Sequence, residues 1–372
     1  MKILISAGLA NRTLQQFLIP ISKVESVEEI IVVRDRIGDN LDKVKYVTVP
    51  KFIAKNPILK TMAKFALICG LTIKYKPDLL HGFLMSPDGL LCYYAGKIFR
   101  RKNGISLIAG PVELYMFGGS PIEKYHYMDD LPKLNTLGKI NLKRLKKSDI
   151  ITTTGTFTRD FLIDKGLNPE KIVAIKHLPH FVEKGLKPKK MEKEYDLIFI
   201  GRLERVKHVE TIIKAIPLIK KKYANIKLAI VGIGGHMDYL QKLTTELKIT
   251  ENVEFLGYQE NIWDLFNKAK ISIVTSEREG CPLSAYESMA CGIPVIAAKC
   301  GDIKDLIYDD INGIFISRYD DYIDLAKKAI ELLEDDKKIE TLSKNALKTM
   351  EGINVEVVSK EWKKVFKSAG LD

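Results

Sequence analysis

Short apolar segments alternate with longer amphipathic segments along all 372 residues of the chain. The short segments have the composition of buried strands, and the segments between them have the period of helices. Such alternation is typical of an α/β fold in which parallel sheets are covered by helices on both faces. The series restarts near residue 195, and a single core rarely grows to this size, so we predict two domains of roughly 180 residues each.

Seven strands are predicted in the first series and six in the second. Those of the first series are Lys2–Ser6, Ile30–Val33, Tyr46–Val49, Leu79–His81, Ser106–Ala109, Ile150–Thr153 and Ile172–Ile175. Those of the second series are Leu197–Ile200, Lys227–Val231, Val253–Leu256, Ile271–Val274, Pro294–Ala297 and Gly313–Phe315.

A charged stretch with Gly and Pro and without apolar periodicity separates the two series and predicts a linker at 179–193. The first domain is then predicted at 1–178, the second at 194–352, and a C-terminal helical segment at 353–372. Two open parallel sheets joined in this way place a ligand in the cleft between the domains, at the carboxyl ends of the strands.

The net charge of +12 is unevenly distributed along the chain. Residues 1–193 contain 33 Lys and Arg against 18 Asp and Glu, whereas residues 194–372 contain 26 against 29. The asymmetry indicates that the first half meets an anionic partner, which is a membrane surface, a phosphorylated acceptor or nucleic acid. The alternative is a Lys-rich surface of the kind that heat-adapted proteins carry.

The five cysteines lie in apolar surroundings without a Cys-x-x-Cys pair, so we predict reduced core thiols and no zinc site. No Asp-x-Asp triplet occurs, and we expect catalysis without a bound divalent cation or other cofactor. No apolar run is long enough to cross a bilayer, and the first residues have too short an apolar core for a signal peptide. We therefore expect a cytoplasmic protein.

Two glutamates, Glu279 and Glu287, bracket the most informative motif. Pro282 is predicted to be the first residue of a helix, which puts Glu279 just before the helix and Glu287 about 7 Å along its axis. Unpaired N–H groups at the helix start lie between the two carboxylates. This layout fits a nucleotide sugar, which has a hydroxylated ring at each end and phosphates in the middle. The alternative is a solvated helix face, which the apolar stretch 288–298 disfavours.

The stretch from Glu279 to Phe315 resembles the retaining glycosyltransferases of family 4, also called group 1. The resemblance includes Cys291-Gly-Ile-Pro-Val, Gly301-Asp302 and Asn312-Gly313. It implies the GT-B architecture, in which two Rossmann-like domains face each other across a cleft and the C-terminal helix crosses back to the first domain. It also implies a retaining transfer of a sugar from a nucleotide-diphosphate donor to an acceptor hydroxyl, in cell-surface polysaccharide, glycolipid or glycan assembly.

By this resemblance, Arg202 and Lys207 bind the donor pyrophosphate, and two fixed cations would stabilise the leaving diphosphate. Glu279 would contact the hydroxyls of the transferred sugar, and Glu287 those of the ribose. The other binding residues expected in this domain are Gly232, Gly257, Tyr258, Gly280, Leu283 and Ser284. Two further basic residues at the helix start, Arg205 and His208, are interpreted as bystanders.

Three residues of the first domain are candidates for substrate binding. Gly8 follows the first strand, in the place of the family's glycine-rich loop, which here is poorer in glycine. Many relatives carry a histidine after the strand predicted at Ser106–Ala109, but this chain does not. His81, at the predicted end of another strand, could project into the cleft, although a structural histidine is the alternative. Glu113 is a candidate for binding the acceptor.

Basic clusters at 97–102 and 143–147, with the amphipathic stretch 51–65, could rest on anionic lipid head groups. The protein would then lie at the inner face of the membrane and reach a lipid-linked acceptor. Ordinary solvated helix faces are the alternative for these segments.

Three other functions are alternatives to sugar transfer. A nucleotide-sugar epimerase or a glycoside phosphorylase can share the architecture, but the paired glutamates with Arg202 and Lys207 argue against both. Non-enzymatic binding of nucleic acid is disfavoured, because no aromatic stacking pattern or recognised reading motif accompanies the lysines.

Overall fold

The computed structural model describes residues 1–115, 134–179, 182, 184–185 and 187–371. They form two compact units. The first unit holds the described residues up to 179 together with 354–371, and the second holds those between. Residues 180, 181, 183 and 186 of the predicted linker lie outside the described residues.

The sheet of the first unit has seven parallel strands in the order β3-β2-β1-β4-β5-β6-β7. They are β1 (Lys2–Ala7), β2 (Glu29–Arg34), β3 (Val44–Thr48), β4 (Leu79–Phe83), β5 (Lys102–Leu107), β6 (Ile150–Thr153) and β7 (Ile172–Ala174). β1 lies between β2 and β4, so the loops after β1 and β4 diverge at the carboxyl edge of the sheet.

The helices of the first unit before the C-terminal segment are α1 (Asn11–Ser22), α2 (Lys51–Ala54), α3 (Pro57–Tyr75), α4 (Leu90–Ile98), α5 (Thr136–Lys146) and α6 (Thr156–Asp164). Helix α3 shows why such segments begin and end where they do. The Asn56 side chain accepts hydrogen bonds from the amides of Ile58 and Leu59, and Pro57 is the first helical residue. The helix ends at Lys76, which has a left-handed backbone.

The sheet of the second unit has six parallel strands in the order β10-β9-β8-β11-β12-β13. They are β8 (Tyr195–Ile200), β9 (Leu228–Val231), β10 (Val253–Gly257), β11 (Ala269–Val274), β12 (Val295–Ala298) and β13 (Ile314–Ile316). The helices are α7 (Val209–Lys220), α8 (Met237–Glu246), α9 (Ile262–Asn267), α10 (Leu283–Ala290), α11 (Tyr322–Leu333) and α12 (Asp336–Glu351). β8 lies between β9 and β11, so the loops after β8 and β11 diverge where open α/β sheets bind ligands.

The C-terminal helix α13 (Val355–Ser368) belongs to the first unit, where it packs against α1. Its Trp362 is 1% exposed, and the indole ring contacts the rings of His81 and Phe83 at centroid distances of 5.6 and 6.4 Å. The predicted return of this helix to the first domain is confirmed.

Each predicted strand overlaps an observed strand, and both sheets are parallel, so the predicted α/β class with two Rossmann-like domains is confirmed. The strand predicted at Ser106–Ala109 is displaced, since β5 begins at Lys102. Lys102 is exposed, but the polar Asn103 is buried because its backbone amide and its side chain both donate to Asp149. No helix in the described part of the chain combines the length and apolarity needed to span a bilayer.

Candidate active site

The loops that follow β8 and β11 are joined by hydrogen bonds in the second unit. The amide of Glu277 donates to the carbonyl of Val206 over 2.9 Å. The Thr275 hydroxyl donates to the carbonyl oxygens of Lys207 and His208 over 2.8 and 3.1 Å. These bonds hold the residues of one loop in a fixed position relative to the other.

Lys207 and Glu279, one from each loop, form an ion pair. Their side chains are 15% and 18% exposed, and the Ser276 hydroxyl donates to the same carboxylate oxygen that the lysine binds. The structure thus brings together a residue predicted to bind phosphate and the residue predicted to bind the transferred sugar.

Arg202, the second predicted phosphate ligand, follows Gly201 directly after β8 and is exposed. Among the described residues it has no ion-pair partner. Its guanidinium group is therefore accessible to an anion at the carboxyl edge of the sheet.

Helix α10 begins one residue later than predicted, at Leu283. Pro282 is the N-cap residue, with an extended backbone (φ −70°, ψ 115°), so the prediction that it is the first helical residue is wrong. The Pro282 side chain makes no capping hydrogen bond to this helix start. The amides of Leu283 and Ser284 belong to the first turn and have no acceptor within the helix, which favours an anion at this end.

Glu287 lies on α10 and is only 5% exposed. This burial excludes the alternative that it is a charge on a solvated helix face. Tyr258, another of the predicted binding residues, follows Gly257 at the end of β10 and is 72% exposed.

Gly232 follows β9 and has a φ of +136°. Its amide donates to the carbonyl of Gly257 over 2.7 Å, and a Cβ here would overlap the carbonyl oxygen of Gly201. Gly232 was expected to bind the donor. The structure shows a reason for glycine at this position within the protein itself, since the loops after β8, β9 and β10 approach one another closely here.

The backbone of Glu279 and Gly280 packs against the turn that begins at Gly301. The Asp302 amide donates to the carbonyl of Gly280 over 2.6 Å, and Gly301 has a φ of +50°. A Cβ at Gly301 would overlap the carbonyl oxygen of Glu279. This close packing fixes the backbone that carries the predicted sugar ligand.

His208, which is interpreted from the sequence as a bystander, lies between two glutamates. Its Nε2 lies 3.1 Å from Glu277 Oε2, and its Nδ1 lies 3.2 Å from Glu210 Oε1. Burial favours the neutral imidazole, but the hydrogen bonds and charges of the two glutamates outweigh it and raise the pKa of His208 to about 9. Glu277 stands two residues before Glu279 but 69 residues from His208, so the sequence did not predict this contact.

In the first unit, His81 lies in the middle of β4 and not at its end, as was predicted. It is 1% exposed, its Nε2 lies 2.7 Å from the Ser106 hydroxyl, and burial lowers its pKa to about 3. The prediction that it projects to bind substrate is therefore wrong, and His81 is a neutral core residue.

Glu113 joins the loops that follow β4 and β5. Its carboxylate accepts hydrogen bonds from the amides of Met85 and Ala109, both over 2.6 Å, and it is 5% exposed. Burial raises its pKa to about 7 against the effect of these bonds. Since both oxygens bind the backbone, the structure does not support the predicted contact with an acceptor.

Gly8 is exposed after β1, as a ligand contact requires.

Residues 183–349 match the family model of the glycosyl transferases group 1. The N-acetyl-alpha-D-glucosaminyl L-malate synthase of Bacillus anthracis is 26% identical over 273 residues, which cover 70% of this chain and 66% of that protein. The GalNAc-alpha-(1->4)-GalNAc-alpha-(1->3)-diNAcBac-PP-undecaprenol alpha-1,4-N-acetyl-D-galactosaminyltransferase of Campylobacter jejuni is 33% identical over 188 residues, 50% of this chain and 52% of that protein.

The crystal structure of Anabaena HepE in complex with UDP and glucose superposes with a TM-score of 0.78 at 19% identity, covering 99% of this chain and 100% of HepE. The match to HepE shows a common fold. The curated relatives are matched over 26% to 66% of their own length.

Proposed function

Since residues 183–349 belong to the group 1 glycosyl transferases and the chain has the GT-B fold, we propose that the protein transfers a sugar from a nucleotide-diphosphate donor to an acceptor hydroxyl. The observation that carries this proposal is the ion pair between Lys207 and Glu279, in the loop that leads to the start of α10. In this proposal the lysine and the first amides of α10 bind the phosphates, and the neighbouring carboxylate binds sugar hydroxyls.

In the proposed reaction the bond between the anomeric carbon and the diphosphate breaks. Arg202, Lys207 and the first amides of α10 stabilise the negative charge that develops on the diphosphate. These groups supply the positive charge, so the proposal needs no divalent cation. Glu279 orients the sugar through its hydroxyls.

The acceptor oxygen forms its bond to the anomeric carbon on the face that the diphosphate leaves, which retains the configuration. The acceptor proton passes to the leaving phosphate, and no nucleophile from the protein takes part. Glu287, buried on α10, holds the ribose of the donor in this proposal.

Product analysis separates this function from its alternatives. We expect a sugar nucleotide, with UDP-glucose tested first because HepE was solved with UDP and glucose, to yield a glycosylated alcohol and a nucleoside diphosphate. The activity should persist in EDTA. An epimerised sugar nucleotide, or turnover that requires inorganic phosphate, would instead support an epimerase or a phosphorylase.

We also propose that the first unit rests on an anionic membrane and there meets a lipid-linked acceptor in the assembly of a cell-surface glycan. Residues 43–77 contain eight lysines and no Asp or Glu, and of these lysines only Lys64 is buried, in an ion pair with Asp88. On α2 and α3, Phe52, Ile58 and Met62 are 78%, 72% and 64% exposed. Exposed apolar side chains among lysines are typical of a helix surface that binds anionic lipids. The Campylobacter relative acts on an undecaprenol-linked acceptor, which agrees with this proposal.

Sedimentation with vesicles tests the membrane contact. The protein should pellet with phosphatidylglycerol vesicles at physiological salt and stay in solution with phosphatidylcholine, because the lysines need anionic head groups. The variant with Phe52→Ser and Ile58→Ser should lose the pelleting, whereas Ile323→Ser, at a 62% exposed position of the second unit, should keep it. Equal behaviour of the two variants, or no pelleting of the wild type, contradicts the contact.

A further inference from the structure

His208 has a left-handed backbone, with φ 46° and ψ 44°, between Lys207 and the start of α7. This conformation is unfavourable for a residue with a Cβ, and glycine adopts it most readily. Contacts of the histidine side chain can offset this cost.

The side chain of His208 supplies such interactions. Its two ring nitrogens lie 3.2 and 3.1 Å from carboxylate oxygens of Glu210 and Glu277, and its ring centroid lies 4.3 Å from that of Tyr319. The side chains of His208, Glu210 and Glu277 are 20%, 17% and 10% exposed. Both ring nitrogens can donate to a carboxylate only in the imidazolium form, so the imidazole is charged here.

Other charged groups surround this histidine. Arg278 Nε lies 3.5 Å from Glu277 Oε1, and His236 Nε2 lies 3.9 Å from Glu210 Oε2. The carboxylate of Asp320 also interacts with the His208 charge. The hydrogen bond from Arg318 is the main cause of the lowered pKa of Asp320, and the His208 charge makes a smaller contribution. Among the charged groups in the described part of the chain, Glu210 and Glu277 are nevertheless the ones within 3.2 Å of the His208 ring nitrogens.

The contact with Glu277 joins the two loops of the candidate site. Glu277 stands two residues before Glu279 and also donates its amide to Val206, one residue before Lys207. A shift of the Glu277 side chain would therefore be transmitted to both members of the Lys207–Glu279 pair.

We propose that His208, as an imidazolium held by Glu210 and Glu277, is a positioning residue that fixes Lys207 for the diphosphate of the donor and Glu279 for its sugar. The inference rests on the proposed function and extends it to a residue outside the predicted set. The histidine itself does not touch the substrate; it acts through the two loops.

Calorimetry with UDP, GDP and ADP, combined with thermal unfolding, tests the proposal. His208→Gly relieves the left-handed backbone, so its melting temperature should not fall by much, but its affinity for the nucleotide that the wild type binds best should fall about tenfold, or about 1.4 kcal/mol. Lys248→Gly is the matched control, since Lys248 is exposed in the second unit and has a φ of 55°. It relieves the same conformation and should leave the affinity unchanged.

Glu277→Gln should also weaken nucleotide binding, and the double variant with His208→Asn should be no weaker than the weaker single variant. The wild-type affinity should decline as pH rises through about 9, with a smaller decline in His208→Asn. Carbon-13 labelling of the histidines should show that Glu277→Gln lowers the pKa of His208.

Unchanged nucleotide affinity in both His208→Gly and Glu277→Gln would overturn the positioning role and leave the proposed function standing. If His208→Gly fails to fold, the affinity of Glu277→Gln decides. If the wild type binds none of the three nucleotides, the proposed function fails and the positioning role fails with it.

Discussion

At the scale of single residues, the electrostatics of the chain depend on how far each charge is buried. Lys207 and Glu279 are partly exposed and keep opposite charges beside each other. His208 is charged between two glutamates, and His81 is neutral in an apolar and aromatic core. The sequence distinguishes these two histidines poorly, because Glu277 lies 69 residues from His208 and Trp362 lies far along the chain from His81.

The burial of His81 predicts a loss of stability in acid. Its pKa is about 3 in the folded protein and 6.5 ordinarily, so the unfolded chain binds more protons between these values. The folding stability should therefore fall as pH drops below 6.5, by up to about 1.4 kcal/mol per pH unit. His81→Gln, which retains a partner for Ser106, should lack this component.

Urea unfolding of the wild type and His81→Gln between pH 6.5 and 4 measures the difference. The comparison is needed because Glu113, with a pKa of about 7, has the opposite effect. The folding stability that Glu113 contributes is lost as pH rises from 4.5 to 7. A difference that stays constant with pH would contradict a buried, neutral His81.

At the scale of helices, strands and loops, the sequence predicted the strands well because their apolar runs are continuous. It placed β5 too late, since the burial of Asn103 depends on Asp149, a contact distant in sequence. The start of α10 was displaced by one residue, because Pro282 fits both the N-cap and the first helical position. The sequence identified candidate site residues after β8 and β11, but it did not predict the hydrogen bonds that join the two loops.

The crossing of three loops at Gly232 gives a prediction at this scale. Gly232→Ala should destabilise the protein by about 3 kcal/mol or more, because the new Cβ would overlap the Gly201 carbonyl at an unfavourable φ. Gly235→Ala is the matched control, as its Cβ would meet nothing within 4 Å, and it should change stability by less than about 0.5 kcal/mol. Equal free energies of unfolding for the two variants, measured in urea, would contradict this account of the loop crossing.

At the scale of the whole molecule, the two units differ in how much the sequence reveals. The second unit carries a motif with a physical reason at each position, and the family match covers 183–349. For the first unit the sequence predicted the strands and revealed the basic charge. Two of its three candidate site residues, His81 and Glu113, are nevertheless buried structural residues. Their burial comes from the return of α13 and from the loops after β4 and β5, which no local pattern encodes.

The measurement that tests the central claim most directly is the affinity for UDP, GDP and ADP of the wild type, Lys207→Met and Glu279→Gln. We predict that the wild type binds one of them and that Lys207→Met binds it at least about tenfold more weakly, since a cation for the diphosphate is lost. Glu279→Gln should bind it no more weakly than the wild type, because the substitution removes the carboxylate that competes with the diphosphate for Lys207. No binding by the wild type, or equal binding by Lys207→Met, would contradict the account.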